Sequence, residues 1–201
     1  MPIIETGALM LLIWAAFGYF LGSVPFGMVV ARAMGLGNLR EIGSGNIGAT
    51  NVLRTGNKQA AALTLAFDAG KGAVAVLLAR GLAGEDAAQI AGLMAFLGHC
   101  FPVWLSFKGG KGVATFLGVL VALAWPVGLA CCLTWLAAAA VMRISSLSAL
   151  VAAASSAVWM GLLGYPSAIV LALALTAIVF WRHKENIARL RTGTEPKIGK
   201  R

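Results

Sequence analysis

The chain alternates long apolar runs with short polar, glycine-rich ones, and the lengths of the runs fix the architecture. A membrane-spanning helix needs about 20 apolar residues. Runs over about 8–30, 60–80 and 87–105 meet that length. The next apolar run, 113–142, would be roughly 45 Å long as one helix, well over a hydrocarbon core of about 30 Å. Pro126, directly after Trp125, supplies a turn, so the run divides into 113–125 and 126–142. Two further runs, 147–163 and 167–181, are separated near Gly164-Tyr165-Pro166. The pattern predicts an all-α polytopic membrane protein of seven transmembrane helices, forming one integral membrane domain over residues 1–201. Pro25, with Gly22, Ser23 and Gly27 around it, predicts a kink or a close helix contact near the end of the first span. That first run has no basic segment before it and is too long for a signal peptide, so it reads as a mature spanning helix.

Composition agrees with this reading. The 201 residues are 60% hydrophobic and 11% charged, against about 45–50% and about 25% in soluble domains. The net charge of +9 would suggest nucleic acid in a soluble protein. Here loop bias and anionic lipid headgroups account for it, and basic residues do not interleave with aromatics in any soluble module. Cys100, Cys131 and Cys132 are odd in number, lie in apolar surroundings and lack metal-ligand spacing, so they are expected to be buried thiols.

Charge also gives an orientation. With seven spans, the connectors after the first, third, fifth and seventh lie on one face. They carry Arg32, Arg40, Arg54, Lys58, Lys108, Lys111, Arg143 and the tail cations Arg182, Lys184, Arg189, Arg191, Lys197, Lys200 and Arg201. Only Lys71 and Arg80 fall elsewhere, and the opposite loops hold Glu85 and Asp86. The positive-inside rule then places the N-terminus outside and the C-terminus in the cytoplasm. All the polar, glycine-rich segments fall on that cytoplasmic face. Transport sites usually lie near mid-bilayer between broken helices, so this distribution favours an enzyme acting at the membrane surface on a water-soluble anion and a lipid-like partner.

Two segments carry most of the candidate chemistry. The first is Gly43-Ser44-Gly45-Asn46-Ile47-Gly48-Ala49-Thr50-Asn51-Val52-Leu53-Arg54. Its glycines allow close backbone approach to an anion, its hydroxyls and amides offer donors, and Arg54 adds a cation suited to phosphate. It contains Gly43-x-Gly45-x-x-Gly48 followed by Asp68, but an apolar helix rather than a strand precedes it, which excludes the dinucleotide reading. A ligand-free turn is the plainer alternative. The second segment is Lys108-Gly109-Gly110-Lys111-Gly112 ahead of a helix start at Val113. Two ammonium groups and a helix N-terminus suit a phosphate. Gly112 after Lys111 excludes a Walker motif. Contact with lipid headgroups would not call for three glycines.

Three smaller features complete the list. Asp68 and Lys71 are neighbours on one helical face, and such charges in a spanning helix should pair inside the bundle. Lys71 is either a structural partner of Asp68 or a further phosphate contact. His99, near the cytoplasmic end of the third span, is a donor or base, or else a structural histidine. The tail Arg182–Leu190 leaves the membrane as an interfacial helix with His183, Asn186 and Leu190 on one face. With two histidines in the chain and no Cys/His/carboxylate cluster of ligand spacing, no metal is expected, and no cofactor.

Taken together, Gly22-Ser-Val-Pro-Phe-Gly27, Gly43–Arg54, Asp68-Ala-Gly-Lys-Gly72, Gly98-His-Cys-Phe-Pro102 with Phe107–Thr115, and Arg182–Leu190 resemble the bacterial acyl-phosphate:glycerol-3-phosphate acyltransferase family, PlsY. The resemblance runs from end to end and implies seven helices with the N-terminus outside. It implies transfer of an acyl group from a long-chain acyl phosphate to position 1 of glycerol-3-phosphate, giving lysophosphatidic acid and phosphate, the first acylation of phospholipid synthesis. The expected setting is the bacterial inner membrane with the active site on its cytoplasmic face. Glycerol-3-phosphate, acyl phosphate and membrane lipids are the expected partners, the chain being a monomer. Position by position, Ser44 and Arg54 match the first motif's essential hydroxyl and cation. The glycines and lysines of 108–112 match the motif tied to glycerol-3-phosphate. His183 and Asn186 match the tail's polar pair. Ser146 matches the serine after the fifth span, with Ser145 and Ser148 in the same short segment. The catalytic set is then Ser44, Arg54, His183, Asn186 and His99. The substrate-binding set is Gly43, Gly45, Asn46, Thr50, Asn51, Lys71, Lys108, Gly109, Gly110, Lys111, Gly112 and Ser146.

An acyl phosphate is a mixed anhydride with a good leaving group, so no covalent enzyme nucleophile is required. No carboxylate base stands out, and the resemblance implies that the donor's own phosphate takes the proton. The histidine-x4-aspartate pattern of other acyltransferases is absent: Trp104 and Ala188 stand five after His99 and His183. The competing class is a transporter or binding protein for an organic phosphate.

Overall fold

A computed structural model describes residues 2–199. Met1, Lys200 and Arg201, the last two counted above among the tail cations, lie outside the described residues. The described residues form helices and loops without a strand. They divide into two compact units, Ile3–Leu123 and Ala124 onward.

The first unit contains α1 (Ala8–Gly22), α2 (Phe26–Ala33), the short α3 (Ala49–Leu53), α4 (Lys58–Ala83), α5 (Glu85–Cys100) and α6 (Val113–Leu123). The first apolar run breaks as Pro25 predicts, into α1 and α2. A break inside a membrane helix strands carbonyls where no water can reach them. Here the protein supplies the donors: the Trp104 indole N–H donates to the Ser23 carbonyl (3.0 Å) and the Lys71 ammonium to that of Val24 (2.8 Å). α1 lies against α5 at very close range. A Cβ on Gly18 or Gly22 would collide with the backbone of Ala91 or Ala95. The four-residue spacing on both helices is the small-residue packing of membrane helices. α4 meets α6 the same way: Gly118 faces the Ala69 backbone, Gly72 faces Thr115, and Thr115 Oγ1 donates to the Asp68 carbonyl (2.8 Å).

α6 has 11 residues, about 16 Å at 1.5 Å per residue, so as a regular helix it reaches only half-way across a bilayer core. Its last carbonyls are held by Arg80. The guanidinium donates to Ala122 O (2.7 Å) and Leu123 O (2.8 Å), while Glu85 accepts from its Nε (2.9 Å).

The second unit contains α7 (Trp125–Met142), α8 (Ser145–Leu162), a short 3-10 turn at Pro166–Ala168, α9 (Ile169–Arg182) and α10 (Lys184–Arg191). The helices break at Ala124, next to Pro126, which occupies the first turn of α7, where a missing N–H costs nothing. Arg143 ends α7 in the left-handed conformation (φ 58°). α10 departs from the preceding helix by 63°, the bend expected of a segment leaving the membrane. The tail then folds back, and the Ile198 N–H donates to the Arg143 carbonyl (2.6 Å).

Five helical segments among the described residues are long and apolar enough to cross a membrane: Ala8–Ala33, Lys58–Ala83, Glu85–Leu105, Trp125–Met142 and Ser145–Leu162. A sixth qualifies if Pro166–Arg182 and the bent α10 count together. The fourth expected span, 113–125, is the exception, because its helix stops at Leu123. Cys100 and Cys131 are buried, Cys132 is half-buried, and all three are free.

Candidate active site

In the first unit, the Gly43–Arg54 loop is organised by one buried side chain. Asn51, 2% exposed, accepts at Oδ1 from the Ser44 amide (3.1 Å) and Oγ (3.4 Å). Its Nδ2 donates to the carbonyls of Leu39 (3.0 Å) and Asn46 (2.7 Å). Both ends of the amide are thus engaged within the loop, and Asn51 shapes the loop rather than presenting a donor to a ligand. Gly43 (φ 54°) and Gly45 (φ 66°) take left-handed turns around it. A Cβ at Gly43 would stand 2.6 Å from Arg54 Cδ, so the arginine side chain lies along the glycine, next to Ser44. Ser44, Thr50 and Arg54 remain exposed.

The second glycine segment sits on the end of α5. The Gly110 N–H donates to the His99 carbonyl and the Gly109 N–H to that of Cys100, both at 3.1 Å. These two amides, expected from sequence to face a phosphate, are turned toward the protein. The glycines are needed for packing: a Cβ on Gly110 would collide with His99 Nε2, and one on Gly112 (φ 81°) with the Phe96 ring. Ser106 (φ 50°) and Phe107 (φ 61°), both left-handed without being glycine, lead the chain into Lys108, backbone strain of the sort stored beside functional loops. Lys108 is exposed and Lys111 half-buried.

Arg40, a residue the sequence reading did not single out, joins the two segments. Its guanidinium donates to the Gly45 carbonyl (3.3 Å) and to the Lys108 carbonyl. The two glycine-rich loops, more than fifty residues apart in the chain, therefore face one another, with Ser44, Arg54 and Lys108 exposed around them. Beneath the second loop lie three buried ionisable groups. Asp68 Oδ1 is 2.9 Å from Lys71 Nζ and 3.5 Å from His99 Nδ1. Of the two sequence readings of Lys71, the ion pair is the one realised: the ammonium is engaged by Asp68 and the Val24 carbonyl and does not reach the loops.

In the second unit, Ser146 and Asn186 meet at a carboxylate that the sequence reading also missed. Glu195 accepts from Ser146 Oγ (2.6 Å), Asn186 Nδ2 (2.6 Å) and Arg189 Nε (2.7 Å). Partial burial pushes its carboxyl up, but the three hydrogen bonds and the Arg189 charge outweigh burial and hold it below the usual range. Ser146 is thereby distinguished from Ser148, whose hydroxyl bonds back to the Ile144 carbonyl of its own helix. The signal in the sequence was slight: Glu195, between Thr194 and Pro196, is one of two acids in a basic tail, the other being Glu185. His183, 2% exposed, lies at the α9–α10 corner with Nδ1 2.8 Å from the Val179 carbonyl. A carbonyl can only accept, so Nδ1 carries the proton and Nε2 is the basic nitrogen of the neutral ring. Among the described residues, no group of three His, Cys, Asp or Glu side chains is placed to hold a metal.

The pattern described as glycerol-3-phosphate acyltransferase matches residues 12–193. The chain belongs to the glycerol-3-phosphate acyltransferase family. Curated glycerol-3-phosphate acyltransferases from Ruegeria pomeroyi and Ruegeria sp. strain TM1040 are 69% and 71% identical to it over 201 residues, covering 99% and 100% of those proteins. Two crystal structures of PlsY, an integral membrane glycerol 3-phosphate acyltransferase, have the same fold. The glycerol 3-phosphate form has a TM-score of 0.89 at 41% identity, covering 94% of this chain and 96% of that one. The lysophosphatidic acid form gives 0.86 at 38% identity, covering 94% and 95%. This chain is thus an acyltransferase of the integral membrane PlsY type.

Proposed function

We propose that this acyltransferase moves the acyl group of a long-chain acyl phosphate to the 1-position of glycerol-3-phosphate, at the cytoplasmic face of the bacterial inner membrane. The substrate's primary hydroxyl attacks the acyl carbonyl. A carbon–oxygen ester bond forms, the bond from the acyl carbon to the phosphate oxygen breaks, and the hydroxyl proton leaves on the released phosphate. The products are lysophosphatidic acid and inorganic phosphate. Because phosphate is a good leaving group, the protein's task is placement and charge stabilisation. Arg54 and Lys108, exposed on facing loops, together with Lys111, hold the phosphates. Ser44, oriented by Asn51, donates to the reacting groups. Asn186 and Ser146 are arranged by Glu195. His99 supports the second loop.

The single observation that carries this reading is the Arg40 bridge, which sets the two glycine-rich loops against each other with an arginine and a lysine exposed at their rim. The charge pattern of the connectors supports the cytoplasmic side. An organic-phosphate transporter would need mid-depth polar groups open to a solute. Asp68 and Lys71 are 2% and 3% exposed and answer each other. The test is direct: purified protein with palmitoyl phosphate and glycerol-3-phosphate should release phosphate in step with lysophosphatidic acid. No release, or equal rates with acyl-CoA, refutes the donor assignment. Counterflow of labelled glycerol-3-phosphate in vesicles without any acyl donor would point to transport instead.

A further inference from the structure

Asp68 has no role in the chemistry above, yet it is a carboxylate inside a membrane helix, an expensive group that normally marks function. Pairing with Lys71 does not explain it, since a buried ion pair can often be replaced by apolar residues without loss of stability. What an apolar pair could not do is reach the third member. Asp68 Oδ1, already 2.9 Å from Lys71 Nζ, faces His99 Nδ1 at 3.5 Å. The other edge of that imidazole lies directly under Gly110, so close that a methyl group there would collide with Nε2. The same histidine also holds the loop by its backbone, through the Gly110 N–H.

We propose that Asp68 is a positioning residue for glycerol-3-phosphate, acting through the His99 ring to set the height of the Lys108–Gly112 loop. The ring torsion of histidine is soft, and the Asp68 carboxylate 3.5 Å from Nδ1 biases it toward one orientation by its charge. Asp68 is fixed in turn from two sides. Lys71 is anchored on the Val24 carbonyl beside the Pro25 break, and Thr115 of α6 donates to the Asp68 carbonyl. The kink of the first span, the start of α6 and the loop are thereby tied together. If the ring turns, Gly110 shifts and Lys108 shifts with it.

The proposal rests on the loop being the glycerol-3-phosphate site, and the experiment separates the two. Full-length Asp68→Asn, the double variant Asp68→Leu/Lys71→Met, and Lys108→Ala are purified and assayed with palmitoyl phosphate while each substrate is varied. Expected for Asp68→Asn is a KM for glycerol-3-phosphate raised at least about tenfold, with kcat and the KM for acyl phosphate within about threefold. The double variant removes both charges and guards against misfolding. It should keep a thermal midpoint near wild type and still show the raised KM. Restoration of KM by the double variant would mean that the ion pair is only structural and overturns the proposal. An unchanged KM in Asp68→Asn, with a raised one in Lys108→Ala, overturns the proposal alone. An unchanged KM in Lys108→Ala overturns the loop assignment and the proposal with it. Should neither Asp68 variant fold, 15N spectra of wild-type histidine decide, assigned with His183→Gln. A His99 ring protonated at Nδ1 supports the proposal, and one protonated at Nε2 overturns it.

Discussion

Replacing Asn51 by aspartate changes one NH2 group into an oxygen and leaves the shape intact, so it isolates what the amide does. In the wild type, Nδ2 donates to two carbonyls at 3.0 and 2.7 Å, in a position only 2% exposed. In Asn51→Asp both bonds are lost and a carboxylate oxygen faces two carbonyl oxygens. The Leu39 carbonyl keeps a weak partner in the Ile42 N–H (3.4 Å), whereas the Asn46 carbonyl loses its side-chain donor. Leaving a buried polar group unsatisfied costs about 1–3 kcal/mol each, so a total near 3 kcal/mol is a fair figure for the ordered loop. At 1.36 kcal/mol per decade that is roughly a 150-fold drop in the ordered fraction. The loss falls on the segment bearing Ser44 and not on the helices. Steady-state assay should therefore show kcat/KM reduced by about two orders of magnitude with a thermal midpoint close to wild type. Hydrogen exchange should show faster exchange confined to residues 43–54. A folded Asn51→Asp enzyme with kcat/KM within threefold of wild type would refute the claim that this amide organises the site.

Arg54→Ala removes the cation lying along Gly43 and should lower turnover about 100- to 1,000-fold without unfolding the protein, read from initial rates and a thermal melt. Glu195→Gln tests the tail cluster. The Glu195 carboxyl is depressed in the folded chain, so its contribution is fully present above its ordinary value of 4.5 and fades as pH falls through the lower folded value. Glu195→Gln should thus melt below wild type at pH 7, the gap closing below about pH 4.5. Equal melting at pH 7 would remove Glu195 from the set of organising residues. Gly22→Ala should lower the melting temperature because the added methyl meets the Ala95 backbone, whereas Gly161→Ala, with open space around it, should not. Equal effects would refute the close α1–α5 contact.

Much of this was legible in the pattern of apolar runs. The breaks at Pro25 and near Pro126 follow from a missing N–H and from a run too long for the bilayer, both properties of sequence alone. The two glycine segments were identifiable because donors and glycines cluster there beyond what a connector needs. Their internal wiring was not. Nothing in the spacing of Asn51 says that its amide closes the loop, or that Gly109 and Gly110 direct their amides at α5. Glycine reads as freedom in a sequence, whereas at Gly110 and Gly112 it is a matter of room beside an imidazole and a phenyl ring. Arg40 and Glu195 escaped notice because each looks like ordinary surface charge until a distant partner is brought to it. The length of α6 was likewise hidden, since hydropathy continues through Ala124 and Trp125 after the helix has stopped.

The two cations that fell outside the positive-inside pattern have a common explanation. Lys71 serves a carbonyl exposed by the proline break in the first span, and Arg80 serves the carbonyls at the end of the short α6. In each case a long side chain performs, at an interrupted helix, the office that water performs at a free helix end. Misplaced positive residues in a polytopic sequence can thus flag interrupted helices. Topology counts would sharpen if such residues were set aside before the tally.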